Sequence, residues 1–438
     1  MKFKIYKLLQ SISDSELITK GTTAFTFKIG GMISIYLFHF LLASYAGAEA
    51  NGIFSTFFTI LSIFSVFCIL GLDTFILKNI ADSNSKNRFR NLKVIYLKAL
   101  GIVLFLSTLF ALILYRILVY GEFDFYGYSD IIYYVILCII PFSILHVNAE
   151  SFRAIKNIKL FSFFKNFSIF GFATAILVFG PTTNINSGVS AFTIAVFCLS
   201  IISLILWFKS IFKKVSFENT NISYFGMLKE SFPMFLSGSL FLLMSWVDIL
   251  MLGFFNSQVD VGIYTIAIKI AGLVTIFLFA INTILGPKIS ELYHNQKLGA
   301  LAKLVQKTAI LSFLFSLPIL FIILLFPDNL LQLFGNDFQT IDSKKTLIIL
   351  AFGQITNVFF GSVIYILDMT GRHIISRNIL LFTAIINIML NFILIPKYSI
   401  CGAAISTSFS VFIWGFLGAF YVKKYFNFYA FPILNNRR

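Results

Sequence analysis

The chain has 438 residues, of which 58% are hydrophobic and 12% charged, and its mean hydropathy is +0.91. A water-soluble fold of this composition would have too little polar surface to cover itself, so the numbers exclude a soluble enzyme or binding module and require a polytopic membrane protein. The net charge of +16 follows from topology and calls for no nucleic acid, because anionic lipid headgroups are sufficient company for it.

Met1 to Lys20 is polar and basic, with Lys2, Lys4, Lys7 and Lys20. It holds no short apolar core followed by a cleavage site, so it reads as a cytoplasmic tail and not as a removed signal peptide. Apolar runs then cover about 22–44, 53–75, 94–119, 130–150, 160–180 and 187–208. After a basic loop come about 232–254, 260–285, 305–326, 344–367, 376–395 and 401–422. Runs of about 20 residues suit a helix that rises 1.5 Å per residue across a core of about 30 Å, whereas barrel strands would be half as long and would alternate in polarity. The expectation is an all-α polytopic membrane protein with about 12 transmembrane helices.

A repeat divides these helices into two sets of six. The stretch Phe25 to Ile63, two apolar runs joined by a small-residue turn, shares its layout with Phe254 to Leu273. At an offset of 210 positions, Gly52-Ile53-Phe54-Ser55 matches Gly262-Ile263-Tyr264-Thr265 and Lys78 matches Lys288. The expected organisation is an N-terminal tail (1–20), a first six-helix bundle (21–208), a linker (209–231), a second bundle (232–422) and a C-terminal tail (423–438), with function between the halves.

Charge tests the topology, because Lys and Arg accumulate in cytoplasmic loops. With the N-terminus inside, the cytoplasmic segments hold 26 of the 34 basic residues. The opposite loops hold only Lys344, Lys345 and Lys397, together with Glu49, Glu122, Asp124, Asp130, Asp260, Asp328, Asp337 and Asp342. Both termini and the linker are therefore expected in the cytoplasm.

Cys68, Cys138, Cys198 and Cys401 lie in apolar runs without C-x-x-C spacing, which supports neither a disulfide framework nor a zinc site. His39 and His146 stand alone, with no second ligand at metal spacing. There is no nucleotide phosphate loop, no G-x-S-x-G and no H-E-x-x-H, so no cofactor and no catalytic constellation are expected. Pro141, Pro318 and Gly30-Gly31 mark kinks or close helix packing. The 56 phenylalanines read as lipid-facing filler.

The residues at this point resemble a family. LLASYAGAEANGIFSTFFTIL followed by GLDTFILKNIA (Gly71 to Ala81) is similar to the opening signature of bacterial polysaccharide (O-antigen, Wzx-type) flippases of the multidrug/oligosaccharidyl-lipid/polysaccharide (MOP) exporter superfamily. Three further stretches agree in order: Phe232 to Phe255, Val261 to Leu273, and NFILIPKYSICGAAIST (Asn391 to Thr407), in which Ser399 stands where the family usually has glycine. The resemblance implies a MATE-like fold, two six-helix bundles around a central cavity that opens alternately to either side of the bacterial cytoplasmic (inner) membrane. It also implies a substrate, an oligosaccharide repeat unit of O-antigen, capsule or exopolysaccharide carried on a polyprenyl pyrophosphate, with H+ or Na+ and other polysaccharide-assembly proteins as further partners.

Ionisable groups inside spanning helices are costly and mark functional paths. Lys28 has no carboxylate in its own helix, Lys269 lies in a span entered from the lysine-poor side, and Arg116 sits near the outer end of the third helix. These three are the candidate substrate-binding residues for the pyrophosphate, against the alternatives of snorkelling, an ion pair of Lys269 with Asp248 or Asp260, and an interfacial arginine. Lys98 and Lys165, within about a turn of the cytoplasmic face, read as snorkelling. Asp248 and Glu150 are the candidate ion-coupling groups, although Glu150 with Arg153 three residues on also reads as an intrahelical pair. Two other functions compete: a multidrug exporter of the same superfamily, which should want carboxylates facing its cargo, and a membrane polysaccharide polymerase or ligase, which needs a larger outer loop. A peptidoglycan-precursor flippase would commonly have two more helices.

Overall fold

The computed structural model describes residues 15–85, 89–120, 129–180, 184–211 and 223–432. Those residues are helical, with short turns between, and no strand occurs among them. The first long helix, α1 (Ser15–Ile69), leaves helical geometry at Gly47 (φ 80°) and is therefore two spans. α2 (Leu72–Ser85) continues it after Gly71 (φ 74°). Then follow α3 (Phe89–Tyr120), α4 (Ser129–Ala154) and α5 (Ile158–Ser162). A π-helical turn (Phe163–Phe167) leads into α6 (Ser168–Phe179), and α7 (Ser187–Ile211) and α8 (Tyr224–Phe255) come next. α9 (Gln258–Gly272) runs through a 3-10 turn (Leu273–Thr275) into α10 (Ile276–His294). The chain closes with α11 (Leu298–Leu325), the short α12 (Pro327–Gln332), α13 (Ile341–Phe360), α14 (Val363–Met369) and α15 (His373–Phe426). α13 and α14 meet at a 43° bend, and α15 is broken at Ser399 (φ 49°). With α1 and α15 each split at its break, each of the twelve apolar runs falls on a helix or on a bent succession of helical segments, as 53–75, 160–180, 260–285 and 344–367 do.

The chain forms two compact units. Unit 1 is Met1–Ala46 with Phe57–Ser239; unit 2 is Gly47–Thr56 with Leu240–Arg438. The short segment at the α1 break thus belongs to the second unit by its contacts.

Unit 1 has a core in which Leu72, Ile76, Tyr96, Phe152, Phe164 and Trp207 are buried together. Several of its buried polar groups find partners within the bundle, which matters where water is absent. Tyr96 donates to Asn148 Oδ1 at 2.6 Å, and Asn148 Nδ2 donates to Ser203 Oγ at 2.8 Å. Phenylalanine is not only lipid-facing here. Phe58, Phe142, Phe170 and Phe192 pack edge to face or tilted at 5.7–6.4 Å between centroids, so part of the aromatic excess builds the core. At Gly30-Gly31 the helix runs straight through. A Cβ on Gly31 would strike the backbone of Asn166, so this glycine lets α1 lie against the π-helical turn.

In unit 2 the two copies of the repeated glycine meet. A Cβ on Gly52 would collide with the Gln258 carbonyl, and one on Gly262 with the Ala48 carbonyl. Thr56 Oγ1 closes the contact by donating to Gln258 Oε1 at 2.9 Å. The 3-10 break after α9 frees a carbonyl at Val274, which Ser316 Oγ of α11 satisfies at 2.6 Å.

Candidate functional site

The most enclosed carboxylate among the described residues of unit 2 is Asp248 on α8, 2% exposed. Three helical segments converge on it because α15 doubles back at Ser399. Asn387 and Asn391, one turn apart, come from the limb before the break, Thr407 from the limb after it, and Tyr264 from α9. Asn391 Nδ2 donates to Asp248 Oδ1 at 2.6 Å, while Thr407 Oγ1 and Tyr264 Oη donate to Oδ2 at 2.5 and 2.9 Å. Asn391 Nδ2 is also shared with Asn387 Oδ1 at 3.2 Å. Every one of these partners is a neutral hydroxyl or amide, and an ion pair with Lys269 is not among them. Among the described residues the carboxylate is thus hydrogen-bonded but met by no cation. Beside it, Asn391 Oδ1 is buried without a hydrogen-bond partner. An orphaned acceptor next to an uncompensated carboxylate is costly, and a proton or a small monovalent cation would relieve both.

Glu150 of α4, in unit 1, has the opposite environment. Lys165 Nζ on the π-helical turn lies 3.1 Å from Oε1, and Arg153 Nη1 lies 3.4 Å from Oε2. Lys165 also reaches His146 Nδ1 at 3.4 Å, and that imidazole stacks edge to face on Phe142 at 4.6 Å. Lys165, expected to snorkel, is instead drawn to a nearly buried carboxylate. The π turn is what aims it there, since its wider winding changes the direction of the side chains that follow.

The three basic candidates lie on three different helices. Lys28 is exposed on the first limb of α1, in unit 1. Arg116 is exposed near the end of α3, and its guanidinium lies over the Tyr120 ring at 5.1 Å, the arrangement of an interfacial anchor. Lys269 is half-buried in the last turn of α9, just before the 3-10 break, where a helix terminus favours a cation. Among the described residues no group of three or more His, Cys, Asp or Glu is placed to hold a metal ion.

Reading the residues one at a time left out Tyr264, Asn387, Asn391, Thr407 and the Lys165 partnership. Two signals for the first group stand in the sequence. Asn387 and Asn391 are spaced i, i+4 within an apolar run, and the repeat replaces Phe54 by Tyr264, adding a hydroxyl that lands on Asp248.

Comparison with known proteins agrees with this architecture. The family model described as polysaccharide biosynthesis protein matches residues 18–293, and the MatE model matches 233–393. The chain belongs to the polysaccharide biosynthesis protein family. It is 28% identical to the probable low-salt glycan biosynthesis flippase Agl15 of Haloferax volcanii, over 49% of this chain and 44% of that protein. It is 26% identical to an uncharacterized membrane protein of Methanocaldococcus jannaschii, over 89% of this chain and 94% of the relative. The match to the first of these relatives therefore spans less than half of its length. Among solved structures, an inward-facing multidrug resistance MATE family transporter of the MOP superfamily superposes with a TM-score of 0.70 at 14% identity, covering 90% of this chain and 94% of its own. The fold is the MOP transporter fold, and the chain is a multi-pass membrane protein.

Proposed function

We propose that the protein is a secondary transporter that flips an anionic lipid-linked saccharide, a polyprenyl-pyrophosphate-linked oligosaccharide repeat unit, across the cytoplasmic membrane by alternating access. The observation that carries the reading is the seat around Asp248 in a chain of a polysaccharide family: a buried carboxylate with neutral donors, ready to take up and release a small cation. Of the two carboxylates considered for coupling, Asp248 is the better candidate, because Glu150 already holds two cations. Proton or sodium binding at Asp248 resets the carrier. The membrane potential adds to the drive, since moving anionic charge outward gains about 2.3 kcal/mol per charge per 100 mV.

Lys28 and Lys269, and less centrally Arg116, are the headgroup ligands in this scheme. Transport needs no chemical step, only charge complementarity and a change of access. The cytoplasmic side carries both termini and the linker at 209–231, and labelling of single cysteines in that linker by an impermeant reagent checks the side.

The decisive experiment is complementation of a flippase-deficient strain. Lys28→Arg and Lys269→Arg retain surface polysaccharide, whereas Lys28→Ala, Lys269→Ala and above all Lys28→Glu abolish it at unchanged membrane abundance. Full complementation by both alanine variants overturns the assignment. The MatE match over 233–393 favours a second reading, export of a cationic drug, which predicts that expression raises resistance to lipophilic cations and that Lys28→Glu enhances it.

A further inference from the structure

The three lysines of the loops expected outside the cytoplasm come together in unit 2, and they are not equivalent. Lys344 donates to Asp328 at 2.6 Å and is neutralised there. Lys345 and Lys397, with the Asp342 carboxylate beside them, instead line a cavity of about 660 Å³ between the end of α8, the start of α13 and the break in α15, two ammonium groups against one carboxylate. That volume lies in the range of small-molecule sites, ~300–1,000 Å³. Lys345 has only a loose contact with Asp342, 3.9 Å between charged atoms with both side chains mostly exposed. Lys397 is exposed and has no partner among the described residues.

The walls have a different character. Phe255, Ile348, Ile349, Ile395 and Ile405 make them apolar, and Ile405 is 40% exposed on the surface of the unit, so the cavity runs from a cationic rim toward a face of the bundle fit for hydrocarbon. Tyr398, 57% exposed, completes the rim with the amphipathic ring typical of the headgroup level. A purely polar ligand would waste the isoleucines, and a neutral lipid would leave the ammonium groups unanswered. An ammonium pair over an apolar slot is complementary to an amphiphile with an anionic head.

We infer that this cavity binds the phosphate headgroup of a membrane amphiphile, Lys345 and Lys397 taking the anion and the isoleucine wall taking the start of the chain. Two molecules share that chemistry, an anionic phospholipid and a polyprenyl phosphate. Only the assignment of the site to the non-cytoplasmic side rests on the proposed topology; binding itself is independent of transport, so it is tested without a flipping assay.

The test is native mass spectrometry of the full chain in detergent, titrated separately with phosphatidylglycerol, phosphatidylcholine of the same chains, and a polyprenyl monophosphate. Expected for the unmodified protein is about tenfold tighter retention of at least one phosphate-headed anion than of phosphatidylcholine. The Lys345→Gln/Lys397→Gln variant loses that preference, and Lys344→Gln, next in sequence but already paired, keeps it. A preference for phosphatidylglycerol assigns the site to a resident lipid, and a preference for the polyprenyl phosphate assigns it to the carrier headgroup. Equal retention of anionic and zwitterionic amphiphiles by the unmodified protein overturns the inference, as does an undiminished preference in the double variant.

Discussion

Asp248 and Glu150 are both carboxylates in apolar spans, both more than nine-tenths buried, and both hydrogen-bonded or ion-paired. What surrounds them differs. Around Asp248 stand a tyrosine, a threonine and an asparagine, which orient the carboxylate without cancelling its charge. Around Glu150 stand a lysine and an arginine, which cancel it. Burial alone therefore does not mark a coupling group. A carboxylate whose charge is met by fixed cations is part of the scaffold, and one held by neutral donors keeps its attraction for a mobile ion.

The sharpest test of the contrast is a double dissociation. Asp248→Asn keeps the size of the side chain and removes the charge, so transport falls by about a hundredfold or more, worth at least ~2.7 kcal/mol at the relevant step. The thermal midpoint of the purified protein does not fall, because replacing an uncompensated buried charge by a neutral group is often neutral or stabilising. Glu150→Gln does the reverse. It leaves Lys165 and Arg153 facing a neutral amide and costs about 1–2 kcal/mol of stability, reduced from the fully buried case because Lys165 is 30% exposed, while transport per folded molecule stays within about twofold. In a Glu150→Gln/Lys165→Met double variant part of that stability returns. Equal effects of the two single substitutions on both readouts would erase the distinction between the carboxylates.

A smaller effect probes the neutral shell itself. Thr407→Val removes one of the two hydroxyls on Asp248 Oδ2, a bond to a charged group worth about 1.5–3 kcal/mol gross of compensation by Tyr264. If that shell tunes a mobile ion, the cation concentration or pH giving half-maximal transport shifts by roughly tenfold while the maximal rate is retained. A fall in maximal rate with no shift would make Thr407 a packing residue only.

How much of this was legible in the sequence follows from what each level encodes. Spanning helices are set by length and hydropathy, which are local, so the twelve runs could be read directly. The 210-residue offset marks Gly52 and Gly262 as equivalent positions but does not show that they meet, a contact that rests on how closely small residues let backbones approach. The Asp248 shell could not be assembled the same way, because its members come from α8, α9 and two limbs of one broken helix. Lys165 was misread for a related reason: its depth suggested snorkelling, but its direction is fixed by a π turn that no composition rule predicts. Phenylalanine count likewise says nothing about which rings face inward.

The least effect is expected at Ser399, yet it tests how the Asp248 shell is brought together. The residue sits at φ 49° and ψ −131°, a conformation that favours glycine, which is the physical reason glycine is usual at this point of the resembled motif. In compensation its Oγ accepts from Asn256 Nδ2 at 2.8 Å, tying the break in α15 to the end of α8, the helix that carries Asp248. Ser399→Gly relieves about 1 kcal/mol of backbone strain and gives up a hydrogen bond of about the same worth, so the midpoint moves by less than roughly 2 °C. Ser399→Ala gives up the bond and keeps the strain, so it lies below both, by about 1 kcal/mol. The order expected in a melting series is therefore glycine and serine together, then alanine. If alanine equals serine, the Asn256 bond does not hold the hairpin, and the convergence of Asn391 and Thr407 on Asp248 rests on helix packing alone.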